Sequence, residues 1–341
     1  MRPTLADVAS RAGVSMMTVS NVLAGKSNKV SVATAQRVRE AIDETGYVVN
    51  ASARSLSGNR SRIIAIAISG EGNILEGAHN SSLVGDITQE LQRRNYHTML
   101  IPARDVTETI SSLRSWNVDG AIFLNTIADD IATIREQHSV PMVFSDNYAD
   151  QPGILTVRTD DYEGGRLAAR HLIEAGHRHA MFLGPIRHRV GVVDERLRGF
   201  REVHAEAGLP EPVAPEIISD TSLASGLRVA DIIADLPALP TAIFCSADDL
   251  GVGLIRGLIA RGVRVPEDVS IVGFDGFIIG EACTPPLTTI AQDVHAKAVK
   301  AVDLLVAAID GELPPNAPIE ALPVTLLARE SVATLGAEVS G

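Results

Sequence analysis

The chain has 341 residues, of which 45% are hydrophobic and 21% are charged, and its formal net charge is −12. These values are ordinary for a soluble globular protein of two or three domains. The two cysteines, Cys245 and Cys283, lie far apart, which argues against a disulfide framework and favours a reducing, cytoplasmic compartment. No signal segment is recognisable at the N-terminus, and the apolar run from Ile63 to Ile68 is too short to span a bilayer.

The charge is unevenly distributed along the chain. Residues 1–62 contain nine Lys or Arg and four Asp or Glu, a net charge of +5, whereas the remaining residues contain 21 and 38, a net charge of −17. A basic segment attached to an acidic body concentrates the attraction for phosphate groups in one place. The alternative interpretation is a solvated surface on which basic residues cluster by chance.

Two short helices joined by a glycine turn are predicted at the N-terminus. Thr4 and Asp7 have the spacing of a capping box, Gly13 permits a tight turn, and Ser15 can cap the second helix. A third helix is predicted from about Val32 to Thr45. The apolar residues that this pattern assigns to a shared core are Leu5, Val8, Ala9, Val19, Val22, Leu23, Ala35, Val38, Ala41 and Ile42. The arrangement is typical of a helix-turn-helix, which inserts its second helix into the major groove of DNA.

The second predicted helix presents hydroxyl, amide and methionine side chains outside this core. Hydroxyl and amide groups can bind phosphates or base edges, and methionine can pack on the methyl group of thymine. The candidate DNA-contacting residues of this segment are Thr4, Ser15, Met16, Met17, Thr18, Ser20 and Asn21. The alternative for each methionine is to fill a gap in the core.

The same region resembles a known family. Leu5-Ala6-Asp7-Val8-Ala9, Ala12-Gly13-Val14-Ser15 and Thr18-Val19-Ser20 resemble the signature of the LacI/GalR family of bacterial repressors, and Ala53-Arg54-Ser55-Leu56 resembles its hinge helix. The resemblance implies that the hinge folds in the minor groove when two subunits bind a pseudo-palindromic operator. It also implies that Leu56 wedges into the central base step and that Asn50, Ser52 and Arg54 contact DNA.

Three positions depart from the pattern of that family. Many members have Arg where this chain has Asn21, Asn where it has Ala24, and Pro where it has Val49. We therefore expect an operator sequence different from those of the well-known members, and a hinge of different stiffness.

From residue 63 onward, short β-branched runs alternate with helix-like segments. The predicted strands are Ile63–Ser69, Thr98–Pro102, Ala121–Leu124, Met142–Ser145, Ile154–Thr159, Ala180–Leu183, Thr241–Cys245 and Val269–Phe274. Such alternation predicts an α/β fold with doubly wound parallel sheets covered by helices on both faces. Two sheets are expected because this part of the chain exceeds one comfortable core.

Polar residues follow several of these strands, where open α/β sheets bind ligands. Asp146, Asp160, Asp248 and Asp275 each follow a strand, and Arg196 opens a helix-like segment. Carboxylates accept hydrogen bonds from hydroxyl groups and a guanidinium donates them, so the set suits a small polyhydroxylated ligand such as a sugar or nucleoside. The alternative is that each aspartate simply caps the next helix.

The resemblance to the LacI/GalR family extends over nearly the whole chain. The segments that carry it are Asp160-Asp161-Tyr162-Glu163-Gly164-Gly165, His171-Leu172-Ile173, Gly176-His177-Arg178, Arg196 with Gly199-Phe200, Val269 to Asp275, and Pro286 to Ile290. It implies a periplasmic-binding-protein-like effector domain of two subdomains, with Asp146, Arg196, Asp248 and Asp275 in the cleft and Asp160 a further candidate. Because family members often stack an aromatic ring on the ligand, Tyr148 and Phe277 are candidate stacking residues.

The resemblance also implies the domain organisation. A helix-turn-helix domain would cover residues 1–48, a hinge 49–61, and an effector-binding and dimerisation domain 62–341. The N-subdomain would comprise about 62–160 and 291–320, and the C-subdomain about 161–290 and 321–341. The family dimerises through a helix near Asp249–Arg261, another near Ser81–Arg94, and a segment near Ile278–Cys283. We expect a homodimer, because no leucine heptads are appended after Ser331.

These features favour a cytoplasmic transcriptional repressor that is controlled by a ligand. We expect it to bind operator DNA and a small effector, most simply a sugar, and not to bind a membrane. A purine- or nucleoside-responsive, co-repressed regulator is the first alternative, and an α/β metabolic enzyme is the second. The hypothesis of an enzyme lacks support, because the sequence contains no nucleophile elbow, no complete phosphate loop and no metal-ligand spacing. We therefore expect no catalytic residue, cofactor or metal. An exported solute-binding protein is disfavoured by the DNA-reading segment.

Overall fold

The computed structural model describes residues 3–23, 29–47, 60–70, 74–126, 128–137, 140–148, 153–186, 191–217, 220–313 and 319–335. Within these ranges no helix has both the length and the apolar character that a membrane span requires. The chain divides into two compact units. The first is Met1–Ile63 with Trp116–Asp119, and the second is Ile64–Ser115 with Gly120–Gly341.

Three helices form the N-terminal part of the first unit: α1 (Leu5–Ala12), α2 (Met16–Leu23) and α3 (Val32–Thr45). The predicted capping box at the start of α1 is present. The Thr4 hydroxyl accepts from the Asp7 backbone N–H at 3.3 Å, and the Asp7 carboxylate accepts from the Thr4 backbone N–H at 2.7 Å. Gly13 ends α1 at φ 63°, in the left-handed region that favours glycine. The three predicted helices are therefore confirmed, including the turn that joins the first two.

The apolar faces of these helices share one small core. Its buried residues are Val8, Ala9, Ala12, Val19, Val38, Ala41 and Tyr47. Val8, Val19 and Val38 are each 0% exposed, and full burial of a valine stabilises a fold by about 1.5–3 kcal/mol. Tyr47 joins the core from just beyond α3, a position that helical periodicity does not reveal.

The second unit contains eleven described strands and nine described helices. The strands are β1 (Ile63–Ile68), β2 (His97–Pro102), β3 (Gly120–Leu124), β4 (Met142–Ser145), β5 (Leu155–Thr159), β6 (Ala180–Leu183), β7 (Ala242–Cys245), β8 (Ser270–Asp275), β9 (Thr288–Gln292), β10 (Glu320–Leu322) and β11 (Val324–Leu327). The helices are α4 (Ala78–Arg93), α5 (Val106–Ser115), α6 (Ala128–Gln137), α7 (Asp161–Glu174), α8 (Val192–Glu206), α9 (Leu223–Ala234), α10 (Asp248–Ala260), α11 (Ile278–Ala282) and α12 (Val294–Asp310).

The strands form two sheets, and each sheet is the centre of a lobe. The first lobe has the strand order β10-β5-β4-β3-β1-β2, and the second has the order β11-β9-β8-β7-β6. The pairs β1–β3, β3–β4 and β4–β5 are parallel, as are β6–β7, β7–β8 and β8–β9. The central strands are almost entirely buried and apolar, as expected of parallel strands covered on both faces. The predicted doubly wound α/β class is confirmed.

All eight strands predicted from the sequence are present, to within one residue at either end. The sequence analysis missed β9, β10 and β11, and β11 does not follow the parallel pairing of its neighbours. Strand β11 pairs antiparallel with β9, with Val324 opposite Gln292. The reason is that β10 and β11 follow each other directly and belong to different sheets, so the chain enters the second sheet without a helical crossover.

The chain passes between the lobes at three places: between β5 and α7, between β9 and α12, and between β10 and β11. At the first two crossovers the carboxyl ends of β5 and β9 lie close together. The Thr159 hydroxyl at the end of β5 donates to the Gln292 side-chain oxygen at the end of β9, at 2.8 Å. The edge where ligands bind in parallel sheets therefore lies between the two lobes.

Candidate functional site

Arg196 is positioned by an unusually close approach of α7 and α8. A Cβ atom on Gly165 would lie 2.0 Å from the Arg196 carbonyl oxygen, and one on Gly199 would lie 2.0 Å from the Tyr162 carbonyl oxygen. Only glycine at both positions permits this backbone contact. The Gly164-Gly165 and Gly199-Phe200 segments of the sequence therefore set the distance between the two helices and hence the place of Arg196.

The Arg196 side chain is buried and fully oriented. Its Nε donates to Asp161 Oδ1 at 2.7 Å, and its Nη1 donates to the Ser246 carbonyl oxygen at 2.5 Å. The guanidinium plane lies over the Phe274 ring, with 3.4 Å between its carbon and the ring centroid. Charge-assisted hydrogen bonds and an aromatic face make this a rigid donor group rather than a mobile surface arginine.

A second set of polar groups lies at the ends of β4, β8 and β9. The Lys297 ammonium donates to the two Asp146 carboxylate oxygens at 2.8 and 3.0 Å and to the Gln292 side-chain oxygen at 3.0 Å. The Gln292 amide nitrogen donates to Asp275 Oδ1 at 2.6 Å. Asp146, Arg196 and Asp275, all predicted from the sequence, thus lie close together where the two lobes meet, and this region is called the cleft below.

Burial and neighbouring charges shift the acid–base properties of this cleft. Burial raises the pKa of Asp275 to about 7, although Arg196 opposes the shift. Burial alone would raise the pKa of Asp146, but Lys297 and His79 outweigh it and hold that pKa below the ordinary 3.8. Burial, together with the charge of Lys297, lowers the pKa of His79 to about 4. Clusters of perturbed groups are typical of functional sites.

Two of the predicted effector residues, Asp248 and Asp160, are already engaged by their own surroundings. Asp248 is 0% exposed, accepts from the backbone N–H groups of Gly276 and Phe277 at 2.8 Å each, and accepts from the Thr289 hydroxyl at 2.6 Å. Asp160 caps α7, accepting from the Glu163 N–H at 3.0 Å. Asp160 thus follows the capping alternative, whereas Asp248 caps no helix and instead holds the loop that follows β8.

The aromatic candidates are also held by neighbouring groups. The Tyr148 hydroxyl contacts the Asp161 carboxylate and donates to the Thr159 carbonyl at 2.8 Å, while the Arg158 guanidinium lies 4.7 Å from its ring centroid. One face of the Tyr148 ring is therefore covered by Arg158. The second aromatic candidate, Phe277, packs against the apolar core of the first lobe.

The sequence analysis missed four groups of the cleft: His79, Asp161, Gln292 and Lys297. The signal for Lys297 was available, because α12 buries Val294, Lys297, Ala298, Ala301 and Val302 at helical spacing, and a lysine on that face needs a partner. Asp161 was passed over because its neighbour Asp160 directly follows the predicted strand, which made Asp160 the candidate ligand-binding residue. Nothing local identifies His79 or Gln292, because tertiary packing alone brings them to the cleft.

The candidate DNA-contacting residues form a separate set in the first unit. Met16 and Met17 are 55% and 70% exposed, so neither fills the core. The Ser15 hydroxyl accepts from the Thr18 backbone N–H at 3.2 Å, which caps α2 as predicted. Thr4 and Ser15 are exposed, whereas Thr18, Ser20 and Asn21 are half-buried. Asn50, Ser52, Arg54 and Leu56 lie outside the described residues, as do Ala24 and Val49.

In the described part of the chain, no group of three or more His, Cys, Asp or Glu side chains could hold a metal ion. Cys245 is buried and burial raises the pKa of its thiol, so it is not an activated nucleophile.

Comparison with known proteins identifies both parts of the chain. Residues 4–50 match the family model of bacterial regulatory proteins of the lacI family, and residues 169–332 match a periplasmic binding protein-like domain. The HTH-type transcriptional regulator CelR of Thermobifida fusca is 34% identical over 320 residues, covering 91% of this chain and 93% of the relative. The HTH-type transcriptional repressor PurR of Vibrio parahaemolyticus is 31% identical, covering 90% and 92%.

Solved structures agree with this assignment over nearly the full length. The lac repressor dimer bound to operator and the anti-inducer ONPF superposes with a TM-score of 0.87 at 27% identity, covering 98% of this chain and 100% of that one. The complex of the transcriptional regulator CelR with cellobiose has a TM-score of 0.71 at 30% identity, covering 97% and 100%. These relatives are transcriptional regulators rather than enzymes. The chain belongs to the LacI family of bacterial DNA-binding transcriptional regulators.

Proposed function

We propose that the protein is a cytoplasmic homodimeric repressor whose affinity for a pseudo-palindromic operator is controlled by a sugar, or a sugar derivative, bound between the two lobes. The observation that carries the proposal is the cluster of Asp146, Asp275 and Gln292 at converging strand ends, with Arg196 of α8 beside Asp275. Carboxylate oxygens accept from sugar hydroxyl groups, and amide N–H and guanidinium groups donate to them.

The position of the cleft explains how a ligand could control DNA binding. Thr159 and Gln292 sit in two crossovers and are hydrogen-bonded to each other, so groups that bind the ligand are continuous with the segments that join the lobes. A ligand that prefers one arrangement of the lobes shifts the population toward it. The coupling to operator affinity equals the difference between its affinities for the two arrangements.

At the other end of the chain, the exposed face of α2 supports groove insertion. Met16 and Met17 are available for apolar contact with thymine methyl groups, and Thr4, Ser15, Thr18, Ser20 and Asn21 supply hydrogen-bonding groups. The hinge contacts of Asn50, Ser52, Arg54 and Leu56 remain predictions from the family pattern, in which Leu56 enters the minor groove.

A purine effector, the first alternative of the sequence analysis, is the second candidate, and several relatives are transcriptional repressors named PurR, including the 31% identical protein of Vibrio parahaemolyticus. The described rings of the cleft argue for the sugar. Phe274 is 0% exposed, with Arg196 3.4 Å from its ring centroid, so it offers no face to a ligand, and one face of Tyr148 is covered by Arg158 at 4.7 Å. A purine base gains most from stacking on a free aromatic face.

The experiment combines operator selection with a ligand panel. The full-length protein would first select its operator from random duplexes. Isothermal titration calorimetry would then compare cellobiose, glucose, ribose and hypoxanthine, and operator affinity would be measured with each ligand that binds. We expect saturable binding of one of the sugars and a change in operator affinity of about tenfold or more, a coupling of 1–3 kcal/mol. Binding of hypoxanthine alone would replace the sugar with the purine alternative.

A further inference from the structure

Lys297 is the most heavily buried cation of the described cleft. Its side chain is 2% exposed on the inner face of α12, among Val294, Ala298 and Ala301. A lysine is almost never fully buried unless it is paired, because its charge loses solvation. The position therefore requires an account of what the ammonium group does there.

The three N–H groups of Lys297 have three acceptors. They are Asp146 Oδ1 at 2.8 Å, Asp146 Oδ2 at 3.0 Å and Gln292 Oε1 at 3.0 Å. An ammonium group has three donors and no acceptor, so these contacts use its capacity. Lys297 is thus occupied by the protein itself and is not a direct ligand-binding group.

The orientation of the Gln292 amide follows from these contacts. Its Oε1 accepts from Lys297 at 3.0 Å and from the Thr159 hydroxyl at 2.8 Å. Two donors on one side fix the oxygen there, and the amide nitrogen must then face Asp275, to which it donates at 2.6 Å. Reversal of the amide would oppose an ammonium to an NH₂ group and a carboxylate to an oxygen.

We propose that Lys297 is a positioning residue of the effector cleft, which fixes the Asp146 carboxylate and the Gln292 amide and thereby orients Asp275 toward the ligand. The part of the proposal that concerns the ligand rests on the function proposed above. The part that concerns Asp146 and Gln292 is a property of the protein without ligand.

The charged groups that face this ion pair come from several elements. They are His79 on α4, Asp161 on α7, Arg196 on α8 and Asp275 at the end of β8. Lys297 lowers the pKa of Asp146 against the effect of burial. Without the ammonium group, the pKa of Asp146 would rise, because burial would be opposed only by His79 and Ser145.

The sign of the effect on stability follows by linkage. With Lys297 present, the lowered pKa of Asp146 means that the ionised carboxylate stabilises the fold above pH 3.8. This stabilisation is lost as the pH falls through the folded-state pKa. In a Lys297→Met variant the raised pKa makes the buried carboxylate oppose folding as the pH rises. The stability difference between variant and wild type should therefore be small near pH 4.5 and large at pH 8.

The test measures the thermal unfolding midpoint of the full-length protein from pH 4.5 to 8. We expect Lys297→Met to lower the midpoint by about 6–10 °C at pH 8 and by much less at pH 4.5. Lys297→Arg should restore most of the loss, and Lys300→Met, which removes an exposed lysine of the same helix, should behave as wild type. A loss of equal size at every pH would mean that Lys297 only fills space, and would overturn the proposal.

A double variant separates Asp146 from His79, whose pKa also rises when Lys297 is removed. Adding Asp146→Asn to Lys297→Met should remove most of the growth of the difference with pH, because the Asp146 carboxylate no longer titrates. If the pH dependence persists, the effect belongs to another group and the proposed role of Asp146 is wrong. A crystal structure of Lys297→Met should show the Gln292 amide turned away from Asp275, and an unchanged amide would refute its orientation by Lys297.

Titration with cellobiose tests the ligand part separately. If wild type binds cellobiose, Lys297→Met should bind it at least about tenfold more weakly and Lys297→Arg within about threefold of wild type. The reason is that the ligand loses a charge-assisted hydrogen bond when Asp275 is no longer oriented, and such a loss weakens binding by about tenfold. If wild type does not bind cellobiose while the pH-dependent loss is present, the proposed effector is at fault and the role of Lys297 toward Asp146 stands.

Discussion

Two aspartates at the ends of strands have backbone conformations that side chains usually avoid. Asp146 has φ 56° and Asp275 has φ 124°. Aspartate tolerates the left-handed region near 56°, but 124° lies outside it, and such a residue costs of order 1–3 kcal/mol. Strain of this kind persists only where the surroundings fix it, and here Lys297 and Gln292 hold the two carboxylates. The strain marks the same two residues that the chemistry of the cleft singles out.

The first prediction at this scale concerns Arg196. In Arg196→Lys, one ammonium group cannot reach both Asp161 and the Ser246 carbonyl while lying flat on the Phe274 ring. We expect the free energy of unfolding to fall by about 2 kcal/mol in urea titrations, because Asp161 is left partly unpaired in a buried site. Arg198→Lys is the matched control, since the Arg198 side chain is 57% exposed. Equal stability of the two variants would contradict the buried network.

The second prediction concerns the pH dependence of ligand binding. Burial raises the pKa of Asp275 to about 7, so its carboxyl group is mostly protonated at pH 6 and mostly ionised at pH 8. A carboxylate accepts more hydrogen bonds from sugar hydroxyls than a protonated carboxyl group, so affinity should rise with pH, by about tenfold between pH 6 and 8. Calorimetry on wild type and Asp275→Asn measures this. A pH-independent affinity in wild type would show that Asp275 does not accept from the ligand as a carboxylate.

Among the elements, the pair α7 and α8 shows how small residues place a large one. The glycines at 165 and 199 let the backbones of the two helices come into contact. Three phenylalanines of the second lobe belong to the apolar core against which these helices pack. The rings of Phe182, Phe200 and Phe244 pack with centroids 5.1 to 6.3 Å apart. Arg196 is therefore held by helix packing and not by a flexible loop.

A larger residue at position 199 should force the two helices apart. A Cβ atom there would lie 2.0 Å from the Tyr162 carbonyl oxygen, so Gly199→Val should lower the free energy of unfolding by about 2–3 kcal/mol or more and weaken sugar binding by displacing Arg196. Ala205→Val, at an exposed position of the same helix, should cost only the difference in helix propensity, about 0.5 kcal/mol. Urea titration compares them. Equal losses would contradict the close helix contact.

Helix α2 separates folding from recognition along its length. Val19 is 0% exposed and Met17 is 70% exposed. Met17→Ala should leave the melting temperature nearly unchanged and weaken binding to the selected operator, whereas Val19→Ala should lower the melting temperature through lost burial, about 1–2 kcal/mol. Circular dichroism and fluorescence anisotropy with the operator measure the two effects. Full operator affinity in Met17→Ala would exclude Met17 from the interface.

At the scale of the molecule, charge is divided between the reader of DNA and the acidic remainder. Residues 1–62 have a net charge of +5 and the rest −17. Phosphate attraction falls steeply with salt because counterions are released on binding. The acidic part contributes to this balance by repelling phosphate wherever the basic segment does not reach.

Removal of residues 1–60 should therefore abolish operator binding and leave sugar affinity within about twofold of the full-length protein, because the cleft residues all lie in the second unit. In the full-length protein, operator affinity should fall by roughly 10³-fold between 50 and 200 mM salt. Anisotropy titrations measure both. Retained operator affinity in the truncated protein would disprove the assignment of DNA binding to the N-terminal helices.

The sequence by itself determined the three N-terminal helices, eight strands of the second unit and three of the cleft residues, Asp146, Arg196 and Asp275. These features depend on local physics: capping, glycine turns, β-branched runs and the rule that ligands bind at strand ends. Local patterns failed for the short strands β10 and β11, whose pairing depends on partners far along the chain.

Only the tertiary structure decided which polar groups face each other across the crossovers. It assigned Asp248 and Asp160 to loop holding and helix capping, and brought in His79, Asp161, Gln292 and Lys297. The physical reason is that a carboxylate has the same local signature whether it accepts from a backbone N–H or from a ligand. What distinguishes the two is the set of donors within hydrogen-bonding distance, and those donors come from residues as far apart in sequence as Asp146 and Lys297.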